Sequence, residues 1–216
     1  MYVALLVPIE RIRYFSGQLL AEADFTEEQL YLREKARRHN RLLHGWGIVC
    51  GLLVRPGPAR GELTLEPGYA LDPHGEEIVV EDEVVVDLCS EDDDGNVLSP
   101  CRRPGDPRPT RVQSERAPGR PLYLAIRYAE CPTRPVTAGE SLEYSRMRES
   151  FAVKVLTELP ASYRRHHGEA HGRPCPDAAA EPWVVLAEVV LDPDLTVSSL
   201  DCLAHQRRVV PPSAAV

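Results

Sequence analysis

The sequence contains no GxSxG, no GxGxxG behind a strand-like run, no Walker loop and no HExxH. The common hydrolase, dinucleotide, nucleotide and zinc-protease readings therefore lack their usual support. It also lacks a CxxC pair: Cys50, Cys89, Cys101, Cys131, Cys175 and Cys202 are widely scattered. With no export signal, free thiols are expected in place of a disulfide framework. No apolar run is long enough for a bilayer. The opening MYVALLV has no basic leader and meets Pro8 at once, too short for a signal core or a span, so we expect a cytoplasmic protein without membrane insertion whose first residues pair as a strand. Positive charge is not in excess either: 25 Lys and Arg face 33 Asp and Glu, a formal net charge of -8. Nucleic acid is thereby excluded as a partner of the surface as a whole. No internal repeat is present.

What is present is the material of a packed protein, 216 residues with 43% hydrophobic and 27% charged, enough for a sizeable core. The 20 prolines gather around Pro56 to Pro58, between Pro100 and Pro121, and between Pro174 and Pro182, which marks loops at about 90–120 and 160–181. The fold class expected is α+β, mainly β, with an N-terminal helix packed on an antiparallel β-sandwich or barrel-like domain bearing two long polar loops. The organisation is a strand and helix segment over 1–46, a mainly antiparallel β domain over 47–209, and a flexible tail over 210–216.

Thr26 with Gln29 fits a capping box, so a helix is expected from Glu27 to about Leu43. Its charges follow the helix dipole, with Asp24, Glu27 and Glu28 at the front and Arg37, Arg38 and Arg41 at the back. Leu32, Ala36, Asn40 and Leu43 form one narrow stripe, too little apolar surface to hold a helix alone, so it must lean on a sheet or a neighbouring subunit. From Gly47 the period becomes two: Ile48, Cys50, Leu52 and Val54 face one way, as in a strand buried on both faces. An antiparallel meander follows, broken at Glu66-Pro67-Gly68, Asp72-Pro73-His74-Gly75 and Glu81-Asp82-Glu83. Further strands are expected in RPLYLAIRYAE, ESFAVKVLTELP, PWVVLAEVVLD and LTVSSLDCL, with ECPTRPVTAGESLEYSRMRES as a loop between the first two. The acidic and Arg-Pro-rich stretch after Cys89 is a loose surface loop or an arm for a partner.

The joint between the helix and the first strand, RHNRLLHGWGIVCG, is the structural hub. His44 can cap the helix or bond to a strand, and Trp46 can fill the crevice between helix and sheet while Gly45 and Gly47 allow close approach. Arg38 and Asn40 belong to the same hub, which is also where an interface with a neighbour is expected. A ligand role for the His44 and Trp46 pair is the competing reading.

One cluster carries metal-ligand residue types. His167, His171 and Cys175 are spaced four apart in RRHHGEAHGRPC, and Cys131 in another loop could complete a tetrahedral zinc site. Gly168, Gly172 and Pro174 interrupt any helix that would align these ligands, and solvated histidines with unpaired thiols explain the same residues. A catalytic set of Cys175, His171 and Asp177 would sit in a flexible Gly-Pro loop, poorly preorganised for nucleophilic chemistry. Glu76 with Glu77 and Asp92 with Asp93 are adjacent pairs that diverge on a strand and read as surface charge.

The segments RYFSGQLLAEADFTEEQLYLREKARRHNRLLHGWGIVCGLLV, LTLEPGYALDPHGEEIVV, LYLAIRYAECPTRPV, EYSRMRESFAVKVLTELP and PWVVLAEVVL resemble a family of bacterial proteins associated with phage-tail-like contractile injection systems. The run HNRLLHGWGIVCGL is its most specific marker. What the resemblance implies is a non-enzymatic structural component at the baseplate, or a fibre or adaptor attached to it. Such a component works in several copies beside other subunits of the particle, with no catalytic residues and no cofactor. Members of that family carry more cysteines after the AECPTRPV strand than this chain does, which weakens the zinc reading here. A metal-stabilised domain that binds a ligand or surface carbohydrate is the alternative.

Overall fold

The computed structural model describes residues 8–99, 101, 108–111, 119–139, 141–163 and 181–204. Met1 to Val7, the 210–216 tail, His167, His171, Cys175 and Asp177 lie outside them.

The helix α1 spans Glu22–His39, beginning five residues ahead of the expected start. The Asp24 carboxylate accepts the Ala21 backbone N–H at 2.7 Å, the reach-back that was assigned to Gln29. Thr26 donates its hydroxyl to Glu22 at 3.1 Å and so caps nothing. A carboxylate two residues inside the helix supplies the same satisfaction of an orphan donor as a box built on Thr26. After His39 the coil widens into a π turn, Asn40–His44, closed by Gly45, whose N–H bonds the Asn40 carbonyl at 2.9 Å with φ of 77°.

The next forty residues form three long strands, each bent in the middle. The first is β1 (Gly47–Gly51) continuing into β2 (Val54–Pro56), and the second is β3 (Glu62–Leu65) continuing into β4 (Gly68–Leu71). The third is β5 (Glu77–Val80) continuing into β6 (Val84–Asp87). One antiparallel register runs through the first bend: Cys50 opposes Tyr69, Val54 opposes Leu65 and Pro56 opposes Leu63. β4 pairs with β5, and β3 with β6. The result is two three-stranded sheets, β1-β4-β5 and β2-β3-β6. The expected meander is therefore present, but Glu66-Pro67-Gly68 and Glu81-Asp82-Glu83 are bends at which a strand changes sheet. The reversals are at Gly57 to Gly61 and Asp72 to Gly75.

The first bend explains a second difference from the expected pattern. Gly51 (φ 62°) and Leu52 (φ 56°) are consecutive left-handed residues, and a side chain at Gly51 would run into the Pro67 carbonyl. The bulge between Ile48 and Cys50 and this kink break the period of two. Ile48, Leu52 and Val54 are buried, while Cys50 is exposed and β1 is not covered on both faces.

A four-stranded antiparallel sheet completes the architecture, in the order β10-β9-β11-β12. Its members are β9 (Pro121–Ala138), β10 (Ser141–Leu156), β11 (Val184–Leu191) and β12 (Val197–Asp201). Leu122, Leu124, Ile126, Val153, Val184, Leu186 and Val189 meet Leu63, Leu65, Ile78 and Val86 from the bent strands in one core. The molecule is thus mainly β and antiparallel with one N-terminal helix, as its sequence pattern requires. β7 (Ser90–Glu91) and β8 (Thr110–Arg111) pair as a short ladder.

Two loop expectations and one cysteine expectation change. The stretch ECPTRPVTAGESLEYSRMRES is no loop: β9 and β10 pair from Ser141 opposite Ala138 down to Leu156 opposite Tyr123. The start of the 90–120 excursion is packed, since Asn96 and Val97 are buried and Val97 donates to the Val153 carbonyl at 2.9 Å. Finally, Cys101 and Cys131 form a disulfide, which overturns the expectation of free thiols for that pair. Two scattered cysteines 30 residues apart give no connectivity signal in a sequence; only the fold brings the excursion against β9. Cys50 and Cys202 are free thiols.

Candidate functional site

The helix α1 rests on the β domain by polar groups. Arg33 pairs with Glu76 at 3.5 Å and with Glu130 on β9, and Arg37 pairs with Glu76 and with Glu34. Asn40 donates its side-chain amide to the Gly75 carbonyl at 3.0 Å, and Arg41 donates to the His74 carbonyl at 3.2 Å. Arg33, Arg37, Asn40 and Arg41 thus each have a contact on the β4–β5 turn. Gly75, at φ of 88°, sits so close that a side chain there would strike the Arg37 backbone carbonyl. The turn is held by Asp72, whose Oδ1 accepts N–H bonds from His74 at 2.8 Å and Glu76 at 2.9 Å. Asp72 is 2% exposed, and burial pushes its carboxyl above the ordinary carboxylate value, against the pull of those two donors.

Glu76 is thus a half-buried ion-pair partner, with 16% of its side chain exposed, and the reading of Glu76 as plain surface charge is corrected. The only sequence signal for this site was Asp72-Pro73-His74-Gly75 as a turn. Nothing in the pattern says what a turn packs against.

The apolar side chains of α1 face away from this seat. No residue of α1 is buried, and Phe25, Leu32 and Leu43 are 52%, 59% and 71% exposed. The expected stripe of Leu32, Ala36, Asn40 and Leu43 does not share one environment. Asn40 turns to the domain, on the same side as Arg33 and Arg37 at helical spacing, while Leu32, Ala36 and Leu43 are exposed.

The hub residues do not converge either. Trp46 packs on the core and lies edge-on to Tyr163 at 5.0 Å, while the Tyr163 hydroxyl accepts the Val185 N–H at 2.6 Å. His44 sits with its Nε2 3.1 Å from that of His39. Arg38 lies half-buried on the helix. These placements describe a joint between helix and sheet.

For the zinc reading, Cys131 is committed to Cys101, so its thiolate is withdrawn from the four-residue set; this corrects the assignment of Cys131 as a ligand. Among the described residues no three His, Cys, Asp or Glu side chains gather as a metal site. No helix among them is long and apolar enough to cross a membrane.

Beyond Cys131 the β9–β10 hairpin has no third strand among the described residues, since β11 pairs with β9 from Pro121 to Ile126. Its far half is exposed on both faces, including Val136, Leu142 and Met147. At about 3.3 Å per residue it projects roughly 20–25 Å past the disulfide.

No protein-family model matches the chain, and no curated protein does. Among solved structures, the chain is similar to TssK, with 13% identity and a TM-score of 0.45 over 90% of this chain. It spans 41% of the length of that TssK chain, and a likeness at this level leaves function open.

Proposed function

We propose that the protein is a non-enzymatic structural or adaptor subunit of a phage-tail-like contractile particle, placed at or near the baseplate. The observation that carries this reading is the orientation of α1 and the π turn after it: polar residues seat them on their own domain, and Phe25, Leu32 and Leu43 are offered outward. A helix whose apolar side faces water gains its stability from a covering surface, which an assembly supplies. The resemblance of HNRLLHGWGIVCGL and the strands after it to the contractile-system family supports the particle as that setting. The two-stranded arm beyond Cys131, whose edges carry no further strand among the described residues, is a second surface suited to a neighbouring subunit.

The test is to shear or density-purify tail-like particles from the native source and identify their subunits by mass spectrometry. The chain is expected in stoichiometric amount with the particle; its absence from intact particles would sink this function.

A further inference from the structure

We propose that α1 is a self-association helix on which a second copy of this chain docks antiparallel. The inference deepens the reading of the protein as a multi-copy assembly subunit and rests on it. Phe25, Gln29, Leu32, Ala36 and His39 recur at alternating spacings of four and three, the seam spacing of two helices packed side by side. All five are exposed, and the seat on the domain uses Arg33, Arg37 and Asn40 instead. The seam thus lies outside every contact that holds the helix to its own domain. Leu43, in the π turn that follows, extends the apolar surface.

The charge along α1 selects the occupant. The first turn carries Glu22 and Asp24, and the last carries Arg37, Arg38 and His39. A parallel pair would set acidic turn beside acidic turn. An antiparallel pair runs each acidic end toward the partner's basic end, with Asp24 at the level of His44 and Glu27 at the level of Arg41, and a two-fold axis demands that kind of self-complementarity. Centred between Leu32 and Ala36, the antiparallel register opposes Leu32 with Ala36, Gln29 with His39, and Phe25 with the Leu43 turn. Leu32 then meets the small Ala36, polar Gln29 meets polar His39, and Phe25 meets Leu43. The two ends of the helix dipoles are also opposed.

The experiment uses the full chain with Cys50, an exposed free thiol, changed to Ser. Chains bearing Gln29→Cys and chains bearing His39→Cys are mixed and oxidised mildly. The expected product is the mixed 29-to-39 cross-link, with sedimentation showing a concentration-dependent dimer. Cross-links of each variant only to itself would mean a parallel arrangement and overturn the proposal. So would a monomer at every concentration. Leu32→Glu should abolish the dimer and leave the melting temperature of the monomer unchanged. A dimer that survives Leu32→Glu uses another surface, and a monomer whose melting temperature falls has the seam covered by its own chain; either result refutes the pairing. Cross-linking without recovery in particles would sink the particle reading alone. Recovery in particles without the cross-link would sink the pairing alone.

Discussion

In the β domain, Leu63, Leu65, Ile78, Ile126 and Val184 are shut from solvent, whereas on α1 Phe25 and Leu32 are more than half exposed and the contacts inward are Arg33, Arg37 and Asn40. A fully buried Leu or Ile stabilises by about 1.5–3 kcal/mol. A partly exposed ion pair contributes roughly 0–1 kcal/mol. The helix is therefore the weakly held part, and it is also the part with apolar surface to spare. The difference teaches that burial and apolar character are decoupled in this chain: the sheets spend their apolar residues internally, and the helix keeps its own for outside.

The sharpest way to break that comparison is a pair of truncations. Ile126→Ala is expected to cost about 2–5 kcal/mol in urea unfolding, while Leu32→Ala changes monomer stability by less than about 0.5 kcal/mol. Equal losses at the two positions would mean that α1 belongs to the core. Next in size, Cys131→Ser opens the 30-residue loop closed by the disulfide and should cost about 2–4 kcal/mol. The same loss should appear when the unchanged protein is unfolded under reducing conditions.

Gly75→Ala tests the seat of the helix. Its left-handed backbone and the nearness of Arg37 set an expected cost of about 1–3 kcal/mol. Hydrogen exchange should show faster opening of α1 than of β3 or β11 in that variant, and uniform acceleration would contradict a local seat. The smallest effect is electrostatic. The Asp72 carboxyl lies above its ordinary value through burial, so its contribution is full below the unfolded carboxylate range and is lost as pH rises through the folded value. Asp72→Asn keeps an acceptor for the two N–H groups and removes the charge. The stability of the unchanged protein relative to Asp72→Asn should therefore fall as pH rises from about 3 toward neutrality; a rise would mean that the N–H bonds outweigh burial.

The mainly β, antiparallel fold with one leading helix was legible because buried strands such as Val184–Leu191 write their burial into composition. The β9–β10 arm was not, because a hairpin exposed on both faces has no apolar alternation to display. The bends at Pro67 and Asp82 read as turns, since the same residue types serve a reversal and a kink, and the bend at Leu52 reads as unbroken strand. Of the joint, Asn40 and Trp46 were visible as special but their partners Gly75 and Tyr163 were not: local spacing identifies a side chain and says nothing of what lies across from it. The helix starts earlier than expected because Asp24, read only as a front-end charge, supplies the reach-back to the Ala21 N–H.

The continuity of the bent strands has a kinetic meaning. Because β1 runs into β2 and β3 into β4 with hydrogen bonds from Leu52 to Pro67 and from Glu66 to Leu53 across the bends, neither small sheet can melt while the other stays folded. Residues 47–87 should open as one cooperative unit, with matched exchange free energies in both sheets, so that the weakly seated helix moves on a frame that does not yield piecemeal.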